Sequence, residues 1–506
     1  MLRPARWFRR HFWKIGAWTF TLITLAWQYE NWYGRNFLAE ERARWIAEYG
    51  DITQLPAFLP ATPDDSNFFA APVFETFVIK SPPLLPSPDA VQAAYNQKVR
   101  TLTEALPHAR FLHMAFPPID MAPGTVQEKV IAPGLSLPDF AAWAQSQEKA
   151  GLTRPAGMSD AAWLNSLMPE DQTVDGLVAA LSRPDSEILP SAAALSSIGE
   201  QTEDPAAIPI PALSGYYKNS VGVALRARAA APAGDGRTAR DLCEILLRFA
   251  EGPSRSRSLI MMLVGTAVEG EALKAISAGI AAQCWKNDDL LHLANRLERL
   301  DEEKLIRRGL YSEVFWLHRQ PIEKTRSWFR RVTQFPISGT GVENFYPSIT
   351  VHGPAGWIDS NLANHLHQWR TMLTPDVPGD DLVHLNDKMK QGLAGNRDWY
   401  AQPPTPRDLF AKILMPQMSG IPLRALQNQT LRRQLLLALA AERYLLQNKT
   451  LPSHADQLIP GSIPAIPGDP WSPGRPLHYQ TGVTGERYRL VSIGPEAVLA
   501  FPSSQL

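Results

Sequence analysis

Apolar and polar positions change period several times along the chain, and each change marks an expected boundary. Residues 15–27 (IGAWTFTLITLAW) carry no charge, and Phe12 and Trp13 extend that run on its N-terminal side. Residues 37–49 (FLAEERARWIAEY) have helical spacing rich in good helix formers, ended by Gly50. Fourteen prolines between Pro56 and Pro138 then block long helices and central strands. Disorder is aromatic-poor, and this stretch keeps Phe68, Phe69, Phe74 and Phe77. It is expected to be irregular and partly wrapped on the body, with one helix near Ala90–Leu106.

From about Leu137 to Leu317 the pattern is helical. Leu242, Ile245, Leu246 and Phe249 recur at three- and four-residue spacing, the mark of a buried helix face. Gly252-Pro253-Ser254 breaks the chain, and Leu259–Cys284 follows as one long or two short apolar helices. Leu290, Leu293, Leu297 and Leu300 make another stripe. An antiparallel bundle or layered array is expected, and no tetratricopeptide or ankyrin period registers. Residues 334–421 are mixed, with a glycine-rich break at Ser338-Gly339-Thr340-Gly341 and a helix near Asn361–Leu373.

The end of the chain is the most legible part. Leu423–Gln447 reads as a helix, apolar on much of its circumference. Ser453, with Asp456 three residues on, caps a short helix, and seven prolines fall between Pro452 and Pro476. Leu477–Gln480 and Tyr488–Ser492 flank a turn around Gly482 and Gly485, which predicts a β-hairpin. The expected fold class is mainly α: a single N-terminal transmembrane helix, a proline-rich irregular segment, a helical bundle or array, and a small C-terminal α+β module. The expected divisions are 1–11, 12–33, 34–136, 137–333, 334–421 and 422–506.

Charge changes the picture first at the N-terminus. Arg3, Arg6, Arg9, Arg10 and Lys14 precede the apolar run, and no acidic residue appears before Glu30. Trp27, Tyr29, Trp32 and Tyr33 follow it, as at a membrane interface. The run itself would span only about 20 Å as a helix, against a hydrocarbon core of about 30 Å, so flanking residues must complete the span. The expectation is an uncleaved signal-anchor at 12–33, with residues 1–11 a cytoplasmic basic flank and the body periplasmic, at the inner membrane. Cleavage after Thr24-Leu25-Ala26 is the alternative, though no Ala-x-Ala stands nearby. Arg9-Arg10-His11-Phe12-Trp13-Lys14 resembles a twin-arginine export signal, set against an ordinary positive-inside flank.

Over all 506 residues, fifty basic side chains balance fifty acidic ones. No basic stripe lies beyond the first fourteen residues, so nucleic acid is not an expected partner. A hydrophobic content of 45% is too low for a multi-span transporter. Two cysteines, Cys243 and Cys284, exclude a disulfide scaffold, an iron–sulfur protein and a cysteine-rich zinc site. Both sit in helical apolar surroundings, and whether they pair is open.

Candidate chemistry is sparse, and no cofactor, metal or catalytic set is expected. There is no P-loop, no Gly-x-Gly-x-x-Gly, no Gly-x-Ser-x-Gly and no His-Glu-x-x-His. Ser146-Gln147-Glu148-Lys149 fits a Ser-x-x-Lys pattern without an accompanying Lys-Thr-Gly, and an exposed helix is expected there. His365 and His367 stand two apart, so on a helix they point about 200° apart and cannot share an ion; His352 could join one of them. Glu442 falls among Leu435, Ala438, Leu439, Leu445 and Leu446 on the helical wheel. An acid there must be neutral or paired, and a structural role with Arg432, Arg433 or Arg443 is expected over a catalytic one.

Two resemblances add to this. The ordered set Leu451-Pro452-Ser453, Leu458-Ile459-Pro460, Ile466-Pro467-Gly468-Asp469-Pro470-Trp471, Tyr479 and Tyr488-Arg489-Leu490-Val491-Ser492-Ile493-Gly494 resembles the C-terminal part of type II secretion major pseudopilins. That likeness implies a helix, a proline-rich passage, an Asp-Pro-Trp turn and a small antiparallel sheet. The pseudopilin N-terminal signature is missing here, and the stretch 495–501 has one acid, so the fibre and the calcium site are not implied. Leu225-Arg226-Ala227, Asp241-Leu242, Leu259-Ile260, Gly353-Pro354-Ala355-Gly356-Trp357 with Asn361, and Glu442-Arg443-Tyr444 resemble a loose group of uncharacterised membrane-anchored bacterial helical proteins. That group implies no activity.

The functional expectation is therefore a membrane-anchored, non-enzymatic scaffold or protein-interaction module. Its partners would be the membrane, through the N-terminal helix, and other envelope proteins. An enzyme of unrecognised type, such as a hydrolase, and a secretion-system accessory are the alternatives.

Overall fold

The computed structural model describes residues 3–50, 63, 65–77, 126–167, 172–188, 213–254, 259–300, 302–319, 353–373, 381–415, 420–494 and 498–503. In chain order they form α1 (Arg3–Tyr49), β1 (Glu128–Ala132), β2 (Leu135–Pro138), α2 (Phe140–Lys149), α3 (Asp160–Leu167) and α4 (Gln172–Ala180). Then come α5 (Leu213–Ala230), α6 (Gly236–Ser254), α7 (Leu259–Ala281), α8 (Asn287–Glu298) and α9 (Glu302–Arg319). Next are α10 (Ala355–Met372), α11 (Leu382–Gly395), α12 (Arg397–Ala401), α13 (Leu409–Leu414) and α14 (Gly420–Asn448). The sheet strands β3 (His478–Thr481), β4 (Glu486–Val491) and β5 (Val498–Pro502) close the chain.

These elements divide into two compact units, each built from two stretches. One is Met1–Pro56 with Val314–Gly420, the other Ala57–Glu313 with Ile421–Leu506. The division is not linear. The mixed region expected at 334–421 shares a unit with the N-terminal helix.

In the first unit α1 is one continuous helix of 47 residues, not a span followed by a second helix. Gly50, at φ +83°, ends it as the glycine pattern implies. Its second half buries a single stripe, Gly34, Leu38, Glu41 and Trp45, at the three- and four-residue spacing of one helix face. That face packs on α10, which in turn packs on α11 and α13. Residues 11–29 of α1 bury nothing comparable.

The expected anchor needs correction here. Among the described residues no helix is long and apolar enough to cross a membrane. The uncharged run of thirteen residues is too short alone, and Lys14 on one side and Glu30 and Arg35 on the other stop its neighbours from extending it. The transmembrane signal-anchor at 12–33 is overturned. So are the inner-membrane placement, the cytoplasmic flank at 1–11 and the periplasmic body that rested on it.

The second unit holds a large apolar core. Leu242, Ile245, Leu246 and Phe249 of α6 are all buried, as their spacing predicts, against α5 and α7. The break expected at Gly252-Pro253-Ser254 is not there, since α6 runs through Pro253 to Ser254, and the apolar stretch that follows is one helix, α7, rather than two. Phe68 and Phe69 from the proline-rich stretch are buried against Phe249, each with its ring centroid 6.0 Å away, and buried Phe74 packs on both of them. The stretch also contains the start of a hairpin that its prolines conceal: β1 pairs antiparallel with β2 across Gly134, at φ +72°. The helix expected near Ala90–Leu106 and the break at Ser338–Gly341 lie outside the described residues.

At the C-terminal end β3 and β4 pair antiparallel with Tyr479 opposite Leu490, which is the expected hairpin. A third strand, β5, extends it to a sheet of order β3-β4-β5. Tyr488 and Leu490 are fully buried and Tyr479 half-buried, its ring stacked on Tyr488. Asp469 makes the turn into the sheet. Its Oδ1 accepts from Trp471 N (2.9 Å) and Ser492 Oγ (2.8 Å), and its Oδ2 from Ile493 N (2.9 Å). Gly494 lies where any Cβ would collide with the Trp471 ring, so the Ser-x-Gly close packs directly on the Asp-Pro-Trp turn.

Candidate functional site

The C-terminal half of α1 is fastened by glycines and polar groups. At the crossing of α1 and α10, a Cβ on Gly34 would run into the Gly356 carbonyl, and a Cβ on Gly356 into the Glu30 carbonyl. Only backbone fits there. Around this point the Glu30 carboxylate accepts from Arg407 Nε (2.8 Å) and Nη2 (2.5 Å) and from Trp357 Nε1 (2.9 Å). The Arg407 hydrogen bonds hold Glu30 below the usual carboxylate range, outweighing the upward push of burial. Arg407 also lies over the Tyr33 ring, 4.5 Å from its centroid.

Two further groups complete the seam. Asn361 Oδ1 accepts from Phe410 N (2.7 Å) and Ala411 N (3.2 Å), while its Nδ2 donates to Trp357 O and Pro406 O. Those bonds tie the start of α13 to α10. Glu41 is wholly buried and meets Arg44 (2.7 Å), Arg370 (3.3 Å) and His367 (3.4 Å). Gly356, Trp357 and Asn361, whose spacing stands out in the sequence, form the docking seam of this unit.

His365 and His367 diverge, as helix geometry requires. His367 faces Glu41, while His365 turns inward to Trp369 and His318. Trp369 Nε1 donates to His365 Nε2 at 3.0 Å, and His365 Nδ1 lies 3.2 Å from His318 Nε2. Indole nitrogen only donates, so His365 carries its proton on Nδ1 and His318 carries its own on the far nitrogen. Burial pushes His365 down to about 3; burial, then His365 and Arg42, push His318 well below its ordinary value. Both rings are neutral. Among the described residues no three His, Cys, Asp or Glu side chains could hold a metal ion. His352 lies outside the described residues.

The second unit places the remaining candidates. Glu442 is buried and paired, as a structural acid must be. Its partners are Arg487 Nη1 (2.8 Å) and Tyr488 Oη (2.7 Å) on β4, not the arginines of its own helix. Arg432 reaches Leu297 O, Arg433 reaches Gly468 O and Arg443 reaches Ser462 O. Ser146 Oγ donates to Trp143 O (2.7 Å) on an exposed helix face, and Lys149 is exposed. Cys243 and Cys284 are both free thiols, each pushed up in pKa by burial first.

What the molecule presents outward is the first half of α1. Trp13 is 83% exposed, Phe20 72% and Trp18 69%, and Phe12, Leu22, Ile23, Leu25, Trp27, Tyr29 and Trp32 are exposed as well. Spaced at 100° per residue, these side chains surround the helix rather than form one stripe. Apolar surface on this scale marks a contact surface. The run at 15–27 was visible in the sequence; the seam that holds its helix was not. Glu30, Glu41, His318 and Arg407 carry no motif, and only the Gly356-Trp357 and Asn361 spacing could have pointed to them. Comparison with known protein families, with curated proteins and with solved structures found no match.

Proposed function

We propose that the chain is a non-enzymatic binding protein that offers the first half of α1 to another protein. The observation that carries this reading is the collar of exposed aromatic and aliphatic side chains from Phe12 to Trp32. An apolar helix exposed all round gains most when a partner encloses it, because each large side chain buried is worth about 1.5–3 kcal/mol. The other half of α1 supports the same reading. Glycine contacts and buried ion pairs fix it rigidly, so the projecting half is held in place for docking without a further ordering cost. The polar groups that could do chemistry, His318, His365, Glu41 and Glu442, are bonded to one another or to neighbours. On this reading the likeness of the tail to pseudopilins is a likeness of local fold, supported by the Asp469, Trp471, Ser492 and Gly494 contacts.

The test is site-specific photocrosslinking in cells of the source organism. A benzophenone side chain is placed at position 18, 20 or 25 of α1, and in a control at Leu152, an exposed apolar residue of the second unit. The expected result is one protein adduct of defined mass from the α1 positions and none from Leu152. Failure to form any protein adduct from α1, or the same adduct from Leu152, would overturn the proposal.

A further inference from the structure

Between α6, α7 and the first part of α9 lies a cavity of about 20 Å³, lined by Glu251, Ser254, Met262, Thr266, Glu269 and Ile306 among others. About 10–15 Å³ is enough for one water-sized group, so a single small head fits and a bulky one does not. Its polar lining has one chemical character. Ser254 Oγ spends its hydrogen on Ala250 O (2.8 Å), and Thr266 Oγ1 spends its own on Met262 O (3.0 Å). Both hydroxyls therefore have only lone pairs left. Glu251 and Glu269 bring carboxylate oxygens. Among the described residues, the side chains lining the cavity thus accept hydrogen bonds and offer none.

The two carboxylates differ in what already satisfies them. Glu251 is bound by Arg296 and lies 3.7 Å from Arg248. Glu269 is 6% exposed, and its Oε2 accepts a long bond from Asn428 Nδ2 (3.4 Å). Its Oε1 is buried and accepts no hydrogen bond. A buried carboxylate oxygen without a donor costs several kcal/mol, so this one calls for a donor from outside the chain.

We infer that this cavity binds a primary ammonium group carried on a short aliphatic stem, with Glu269 as its counter-charge. An ammonium has three donors and no acceptor, which matches the acceptor groups of the described lining. Met262 and Ile306 suit the methylene stem. Among the described residues no set of three acidic, histidine or cysteine side chains could hold a metal ion, so a divalent cation is the poorer fit. This site lies wholly in the second unit and is independent of the α1 surface.

The experiment titrates the full chain with n-butylammonium chloride by calorimetry, at constant ionic strength. Tetramethylammonium chloride, which has no N–H donor, and potassium chloride are the controls. Saturable binding of n-butylammonium alone is expected, weakened at least tenfold in Glu269→Gln and several-fold in Thr266→Val. Thr266→Val removes one acceptor at constant shape, so it decides the matter if Glu269→Gln fails to fold. A further arm uses Nα-acetyl-lysine methylamide: tighter binding than n-butylammonium identifies a lysine side chain as the natural source, weaker binding a free amine. Absence of saturable binding of either amine, equal binding of a control salt, or unchanged affinity in the variants would overturn the inference.

Discussion

Both units bury apolar and polar side chains, but their apolar clusters differ in extent and the α1–α10 crossing leans on single polar contacts and bare backbone. In the second, a continuous apolar cluster runs from Phe68 through Leu246, Ile276 and Leu439 to Tyr488 and Phe501. In the first, the cluster on the α1–α10 seam is Leu38, Ile358, Leu362, Ala363 and Phe410. Beside it this unit buries Trp45, Leu366 and Trp369 together with the polar groups Glu41, His318, Asn361 and His365, keeps Glu30 half-buried, and leaves bare backbone at Gly34 and Gly356. An apolar core tolerates small changes because contacts are many and non-directional. A polar seam fails sharply, because removing one partner strands another in a dry place.

The largest effect should come from the glycine crossing. Gly356→Ala forces α1 and α10 apart and should cost the first unit about 4 kcal/mol or more, the range of severe core disruption. The matched change in the second unit is Gly270→Ala on α7. There a Cβ meets only side-chain ends, Arg424 Nη2 and Asn428 Oδ1, at 3.4 Å. Helix propensity then favours alanine, and the change should be neutral or stabilising by up to about 1 kcal/mol. Urea unfolding read by peptide-resolved hydrogen exchange separates the units. Equal losses in both would break the comparison.

Acid should separate them next. His365 and His318 have folded pKa values below the unfolded one near 6.5, so they bind fewer protons folded than unfolded. Their contribution is present above about pH 6.5 and is lost as pH falls toward the folded value, about 3 for His365. The slope is about 1.4 kcal/mol per pH unit for each ring. In the second unit burial pushes Glu244 up, but His292, Arg296 and Arg248 outweigh it and hold it down, so its contribution is lost only below about 4.5. Protection of α10 should therefore drop between pH 6.5 and 4.5 while that of α6 holds.

Smaller effects sharpen the picture within the second unit. Glu442→Gln keeps an acceptor for Tyr488 but leaves Arg487 without its counter-charge, and should cost about 1–3 kcal/mol, with Glu442→Ala costing more. A folded Glu442→Gln chain that loses a measurable turnover would turn the account toward an enzyme. Ser146→Ala should lie within about 0.5 kcal/mol of the parent, since its hydroxyl bonds a backbone carbonyl on an exposed helix face.

The same contrast explains what could be read from residues alone. Leu242, Ile245, Leu246 and Phe249 declare a buried face by spacing, and Tyr488, Leu490 and the glycines around 482–485 declare a hairpin. Glu442 was legible as a paired acid because a lone charge cannot sit among leucines, although its partner came from a strand 45 residues on. The first unit was illegible because its contacts join residues hundreds of positions apart through single polar atoms, as in Glu30 with Arg407. The apolar run at 15–27 reads as a membrane span only if its flanks supply the missing length, and Lys14, Glu30 and Arg35 prevent that. On a continuous, otherwise charged helix those thirteen uncharged residues are left largely exposed.

The most direct measurement is the affinity of the partner cross-linked through α1 for the parent chain and for a Trp18→Asp, Phe20→Asp, Leu25→Asp variant. Each replaced side chain is exposed, so the variant should unfold at the same urea concentration as the parent. Its affinity should fall at least a hundredfold, about 2.7 kcal/mol. An unchanged affinity in a variant that folds normally would contradict the claim that α1 is where this protein binds.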